Sequence, residues 1–424
     1  MVFFRNKPFN QAWFYTVLFI AALILSLYVR FSVIAANNGE PLRGDAGGFA
    51  LQAAAMKNFY AASAREPFWI LWVKCAAAPF KEAKTGMRLA AAMAFSLSAV
   101  MLFLILSREL GNIPALAGGL FYLVIPYMYF SHIRAHRLEL YLLLLLLFAY
   151  LMLRGMNSVY SVVAAAMTAS ALILTRMESL AVVIGGFAFY VFSERRNPLP
   201  ALRKSGAALF AALLLAAPFF ISCRRACGAF FLVLNNHARF WDSHEHAGEG
   251  GFRSPEETLA KPYDGRNVSV FQYVFSGRNP GRIVVRFVKG YYKTFTRAAR
   301  HMLRFFYDLS FLIYPFWAGL LMMPFSKKGR ELLFWGLLFI FPHAYILNLN
   351  VVGKPSVDIR FAASSVPLMA FAAGFFIFVL SKWGQVLTFD TNGDGAGIRF
   401  PHFAFYICIL KLLHNLRRSC NIRS

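Results

Sequence analysis

The 424-residue chain is 59% hydrophobic and only 15% charged, well under the quarter or so that soluble domains carry. Lys and Arg total 44 against 19 Asp and Glu, a formal charge of +25, and Phe alone contributes 46 residues. These figures exclude a soluble globular enzyme, a disordered chain, a collagen and a coiled coil, and leave an all-α polytopic membrane protein.

Ten stretches are apolar over roughly the 20 residues a helix needs to cross hydrocarbon with its amides satisfied internally. They run about 12–35, 88–107, 113–131, 139–154, 159–175, 178–193, 206–222, 305–325, 331–350 and 361–381. The first lies behind Arg5 and Lys7 but is longer than the roughly 7–15 residues of a cleaved signal core, so it reads as a retained span. The segment from Pro67 to Phe80 is too short to span and contains Lys74, which fits an interfacial helix.

Basic residues in short loops set the orientation. With Arg5 and Lys7 inside, Arg108, Arg154, the run 194–204 and Lys327-Lys328-Gly329-Arg330 are also inside. The outer side then holds 37–87, 132–138, the bend near Arg176, 223–304 and 351–360. The expected organisation is a membrane core over 1–222 whose first outer loop, 37–87, carries the catalytic carboxylate, a long outer loop over 223–304, C-terminal membrane helices over 305–381 and a basic cytoplasmic tail over 382–424. Loop 223–304 has 14 Lys/Arg and 6 Asp/Glu, which suits a basic face on anionic headgroups better than a docking surface for an acidic glycolipid. No period of 20–50 residues repeats, and no two halves carry matching broken helices. The five cysteines (Cys75, Cys223, Cys227, Cys408 and Cys420) fit neither a disulfide framework nor a zinc site; the spacing of Cys223 and Cys227 leaves pairing or plain packing open.

Ionisable side chains near membrane depth are costly and so mark function. They collect on the expected outer side: Asp45, Arg65, Glu66, Arg134, Arg137, Glu139, Arg176, Glu178, Lys354, Asp358 and Arg360. Asp45 sits among glycines in Leu42-Arg43-Gly44-Asp45-Ala46-Gly47-Gly48, where it can accept a hydroxyl proton or simply cap a helix. Arg65-Glu66-Pro67 opens a Trp-bearing amphipathic helix. Arg134 and Arg137 offer planar donors for phosphate, or snorkel from helix ends. Arg176 and Glu178 interrupt an apolar hairpin, as ligand groups or as a buried ion pair. Together they suggest a polar cavity open to the outer leaflet.

The order of these pieces resembles the GT-C superfamily of integral membrane glycosyltransferases, nearest the branch with dolichyl-phosphate-mannose–protein mannosyltransferases and bacterial lipid A aminoarabinose transferases. The resemblance rests on the first-loop Asp45, the Pro67 helix, Arg88-Leu89 opening the second span, Ser131 eight residues before Glu139, the Thr175-Arg176-Met177-Glu178 bend and Arg360-Phe361 opening the tenth span. It covers about residues 10–200 well. The chain departs from the pattern where Ala46 follows Asp45, where Glu66 precedes the proline and where Met177 replaces a common proline.

The resemblance implies a GT-C-like bundle of about ten transmembrane helices with outward-facing loops, in the bacterial cytoplasmic (inner) membrane, with its site on the outer, periplasmic side. It implies an inverting transfer of a hexosyl or pentosyl group from a polyprenyl-phosphate donor. Asp45 would be the general base, Glu139 a second acidic group, and Arg65, Arg134, Arg137, Arg176 and Arg360 the phosphate ligands, with Glu66, Glu178 and Lys354 lining the same site. Expected partners are a lipid-linked sugar donor, a glycan, lipid or protein acceptor and membrane lipids, but not nucleic acid. No cofactor is indicated and a divalent metal is left open: the guanidinium groups could supply the charge neutralisation such a metal would give, and the lack of a GxxxxGK[ST] loop agrees with a lipid-linked donor. The alternative is a transporter or flippase of lipid-linked glycans. A lipid-phosphate hydrolase lacks an obvious nucleophile. Asp390–Gly395 begins like a calcium loop, but Pro401 stands where its bidentate Glu belongs. His237, Asp242, His244 and His246 read as a polar loop rather than a zinc site, and Asn267-Val268-Ser269 is a sequon.

Overall fold

The computed structural model describes residues 11–42, 45–63, 65–80, 82–194, 198–246, 249–250, 270–275, 279–304, 308–345 and 359–388. Among them there is no strand, and the described part of each of the ten apolar stretches is mainly helical. In chain order the α-helices are α1 (Gln11–Ala36), α2 (Asp45–Ala55), α3 (Pro67–Ala77), α4 (Ala83–Leu110), α5 (Asn112–Val124), α6 (Pro126–Ile133), α7 (Leu138–Arg154), α8 (Val159–Thr175), α9 (Leu180–Ser193) and α10 (Pro198–Cys227). They continue with α11 (Leu232–Glu245), α12 (Val270–Phe275), α13 (Pro280–Lys293), α14 (Ala299–Arg304), α15 (Ile313–Met322), α16 (Lys327–Ala344), α17 (Ile359–Ala362) and α18 (Val366–Thr388). Residues 1–379 form the main body, and Leu380–Ser424 forms a second unit in which Leu380–Thr388 is helical.

Among the described residues, four helical runs are long and apolar enough to cross a membrane unaided: Trp13–Ala36, Ala83–Leu110, Pro198–Cys227 and Arg360–Trp383. Helices of 17 residues such as α7 and α8 span about 26 Å at 1.5 Å per residue, close to the hydrocarbon thickness. The chain is an all-α polytopic membrane protein. Its α1 turns Trp13, Ile24, Leu25 and Tyr28 outward, as a lipid-facing helix does, while α4 is mostly buried against α5 and α7.

Three features differ from the sequence-based expectation. The third stretch breaks at Ile125, which is extended (φ −59°, ψ 117°) because Pro126 disfavours helix in the residue before it. The seventh stretch lies in α10, which runs from Pro198 to Cys227, beyond the expected 206–222, so Arg203, Lys204, Arg224 and Arg225 lie within it. The segment 223–304 is largely helical where described, carrying α11 to α14, and Cys223 and Cys227 are both free thiols.

One residue ties the site-bearing end of the bundle together. Arg88, fully buried at the start of α4, donates through Nε to the Ile133 carbonyl (2.9 Å), through Nη1 to Asn37 (2.8 Å) and through Nη2 to Glu40 (3.0 Å). It thereby satisfies carbonyls left over at the C-termini of α6 and α1. At the other end, Lys328 of α16 donates to the Glu109 carbonyl in the last turn of α4. In α15, Gly319 lies so close to α18 that a Cβ would overlap the Ala372 carbonyl, so only glycine allows this approach.

Candidate active site

Asp45 opens α2, where the helix dipole favours a carboxylate. Arg65 Nη2 donates to Asp45 Oδ1 at 3.0 Å, and Arg360 Nη1 donates to Asp45 Oδ2 at 3.0 Å. Each oxygen therefore holds one guanidinium, one from the chain just before α3 and one from α17, 315 residues further on. Burial raises the Asp45 pKa, but Arg65 and Arg360, with Arg137 and His136 behind them, outweigh it and hold the carboxyl below its ordinary 3.8. The Arg65 guanidinium also lies 5.8 Å from the Phe49 ring centroid.

Glu66 points the other way. Its carboxylate accepts from the Arg137 guanidinium through Oε2 and from the Met177 backbone N–H through Oε1 at 3.1 Å. Arg137 also donates to the Thr175 carbonyl at 3.3 Å. One buried carboxylate thus joins the start of α3, the α6–α7 turn and the α8–α9 bend. At that bend Arg176 is extended (φ −152°, ψ 114°), and Met177–Ser179 form a single 3₁₀ turn. Arg176 pairs with Glu178 at 3.4 Å and lies between the rings of Tyr141 (5.3 Å) and Phe361 (5.7 Å). Arg176 Nε and the Tyr141 hydroxyl are buried with no hydrogen-bond partner among the described residues.

The structure therefore gathers Asp45, Arg65, Glu66, Arg137, Arg176, Glu178 and Arg360 at one end of the bundle. Glu139 goes elsewhere: it is fully buried, accepts from the Ser131 hydroxyl and faces the region of Arg30, which stacks between Phe95 and Tyr129. Arg134 is exposed. Lys354 and Asp358 lie outside the described residues, as do the 390–395 stretch and the sequon at Asn267. Of the histidine group, the side chains of His237 and His244 are not described, and His246 is engaged with Glu249 (2.8 Å) and Asp242 (3.6 Å). Among the described residues no three His, Cys, Asp or Glu side chains gather as metal ligands.

The sequence reading passed over His136, Tyr141 and Ala135. His136 is buried within electrostatic reach of Asp45. Ala135 is fully buried with φ 49°, the one non-glycine residue with positive φ among the described residues. That left-handed kink turns His136 and Arg137 inward directly after the exposed Arg134, and an alanine gives no sign of it in sequence.

No protein-family model and no curated protein matches the sequence. Solved structures do match its fold. ArnT from Cupriavidus metallidurans bound to undecaprenyl phosphate superposes with a TM-score of 0.53 at 14% identity, covering 88% of this chain and 62% of that one. The archaeal oligosaccharyltransferase AglB from Archaeoglobus fulgidus, in complex with an inhibitory peptide and a dolichol-phosphate, gives 0.51 at 13% identity over 95% of this chain and 55% of that one. The apo form of the A. fulgidus oligosaccharyltransferase gives 0.52 at 12% identity with the same coverage. The chain thus spans between about half and two thirds of the length of each of these proteins. The chain shares the fold of these ArnT and AglB structures.

Proposed function

We propose that the protein transfers a sugar from a polyprenyl-phosphate donor to an acceptor at the outer face of a bacterial cytoplasmic membrane, with inversion at the anomeric carbon. The observation that carries this reading is the carboxylate of Asp45 held between Arg65 and Arg360. The lipid phosphates bound in ArnT and AglB support the choice of donor class.

The chemistry follows from the charges. Among the described residues of the cluster, Asp45, Glu66 and Glu178 face Arg65, Arg137, Arg176 and Arg360, one cation in excess, which suits a singly charged sugar phosphodiester. An entering phosphate competes with Asp45 for Arg65 and Arg360. As it draws them away, the carboxylate loses the partners that suppress its basicity and becomes fit to accept the proton of the acceptor hydroxyl or amine. The acceptor atom attacks the anomeric carbon, the bond from that carbon to the phosphate oxygen breaks, and the electron pair leaves on polyprenyl phosphate. The phosphate charge grows from about −1 to −2, and the guanidinium groups stabilise that growth where little water competes. The partnerless Nε–H of Arg176 and hydroxyl of Tyr141 are further donors for the same anion or its sugar. A flippase would need a polar path through the bilayer, whereas the ion-paired charges of this cluster gather at a single end of the bundle.

The test is turnover of isotope-labelled polyprenyl-phosphate sugars by purified protein in nanodiscs. Asp45→Asn should lower it by at least about 100-fold, the lower range for loss of a general base, with the fold retained. Arg360→Ala should raise the donor concentration needed for half-maximal rate. Turnover near wild type in Asp45→Asn would remove Asp45 from the chemistry.

A further inference from the structure

The helix formed by α13, a π-helical turn at Thr294–Ala298 and α14 is continuous from Pro280 to Arg304. It carries Arg282, Arg286, Lys289, Lys293, Arg297, Arg300 and Arg304, spaced three or four residues apart, and no acidic residue. At 100° per residue, α13 divides into three sectors. One holds Ile283, Phe287, Gly290 and Tyr291 and packs on α16: a Cβ on Gly290 would overlap the Ala344 carbonyl, Phe287 stacks on Phe341 at 4.9 Å, and Tyr291 donates to the Leu337 carbonyl at 2.9 Å. The second is apolar yet open: Val284, Val285, Val288 and Tyr292 are 61, 49, 61 and 66% exposed. The third is the basic edge, with Arg282 and Lys289 exposed and Arg286 turned onto Tyr345, to whose hydroxyl it donates at 3.1 Å; beyond α13, Arg297 of the π-helical turn and Arg300 and Arg304 of α14 are exposed too.

Water alone does not account for this arrangement, because four large apolar residues stand open in a row beside a row of cations. A bilayer surface accounts for both edges together: the apolar edge enters the acyl boundary while the adjacent basic edge meets headgroup phosphates. We propose that Pro280–Arg304 is an interfacial docking surface for the anionic lipids of the membrane in which the protein sits. Its position gives the surface a consequence. Phe287 and Arg286 pack on Tyr345, and Phe287, Tyr345 and Phe361 share one apolar cluster, so the helix that holds the lipid also braces the residue next to Arg360.

Native mass spectrometry of the full chain, with phosphatidylglycerol or phosphatidylcholine added to the micelles, tests the proposal without any transfer reaction. The wild type should retain phosphatidylglycerol in preference. The variant R282Q/K289Q/R297Q/R300Q, altered only at exposed side chains, should lose affinity for it by roughly fivefold per cation removed, at constant thermal midpoint. The variant V284Q/V288Q should weaken long-chain phosphatidylglycerol binding, and glycerol 3-phosphate should not displace the bound lipid. Equal retention of both lipids, or full phosphatidylglycerol binding by the four-site variant, would overturn the proposal. So would displacement by millimolar glycerol 3-phosphate, which would identify a site for free phosphate instead.

Discussion

The pair formed by Glu66 and Arg137 offers the sharpest energetic test of how the site is built. The Glu66 side chain is fully buried and that of Arg137 nearly so, and Glu66 also receives the Met177 N–H. Removing one partner of such a pair leaves the other charge in a poor solvent, at a cost of about 3–5 kcal/mol. Glu66→Gln keeps an acceptor for Met177, and Arg137 keeps the Thr175 carbonyl, so the lower end, about 3 kcal/mol, is expected. Arg137→Gln should cost a similar amount by stranding Glu66. The double variant strands neither charge and should lie well short of the sum of the singles, with a coupling of about 2 kcal/mol or more. Unfolding free energies in mixed micelles give all three differences. A coupling below about 0.5 kcal/mol would show that the pair does not act as a unit, and the account of Glu66 as the joint between α3, the α6–α7 turn and the α8–α9 bend would fail.

The remaining predictions concern the same end of the bundle and the helices behind it. Because folding pushes the Asp45 carboxyl below 3.8, its ion pairs stabilise the protein fully above that value and lose their effect as pH falls through the lower, folded pKa. The stability margin of wild type over Asp45→Asn should therefore be flat above about pH 5 and shrink in acid, as thermal midpoints across pH would show; a margin that grows in acid would contradict the reading. Ala135→Val puts a β-branched side chain at φ 49° in a fully buried position and should cost about 2–4 kcal/mol in unfolding free energy, with Arg137 displaced. Gly319→Ala must push α15 off the Ala372 carbonyl and should cost about 2 kcal/mol or more, measured in the same micelles.

Much of the fold was legible because lipid imposes a simple rule: a long apolar run must become a helix, and the described parts of the ten runs did so, with the third broken at Ile125. Pro67 at the first position of α3 and the polar interruption at Arg176 were readable for equally local reasons. That Asp45, Arg65 and Arg360 would come together was legible, since a charge next to an apolar span needs a partner. The pairing was not. Arg65 and Glu66 are neighbours in sequence, yet one meets Asp45 and the other Arg137, a choice fixed by how α2, α3 and α7 pack. Glu139 lies apart from that cluster, because the first turn of α7 directs it to Ser131. The helical content of 223–304 was obscured by its charge: in α13 the cations form one edge of an amphipathic helix, and a hydropathy average merges that edge with the two apolar ones.

The contact between Asp45 and Arg360 depends on where α17 and α18 dock, so the clamp reports the placement of those helices. The α18 helix reaches its place through close backbone contacts, among them Gly319 against Ala372, and Phe361 seats under Arg176 as it does so. A fault in that docking would leave Arg65 alone on Asp45 and move Arg176 away from Phe361, displacing at least one of the arginines proposed to bind the donor phosphate without substituting any of them. Gly319→Ala should on this reasoning lose transfer activity out of proportion to its stability loss, with the donor requirement rising as it does in Arg360→Ala. If its folded fraction instead uses donor as well as wild type does, Arg360 reaches Asp45 independently of the α15–α18 contact.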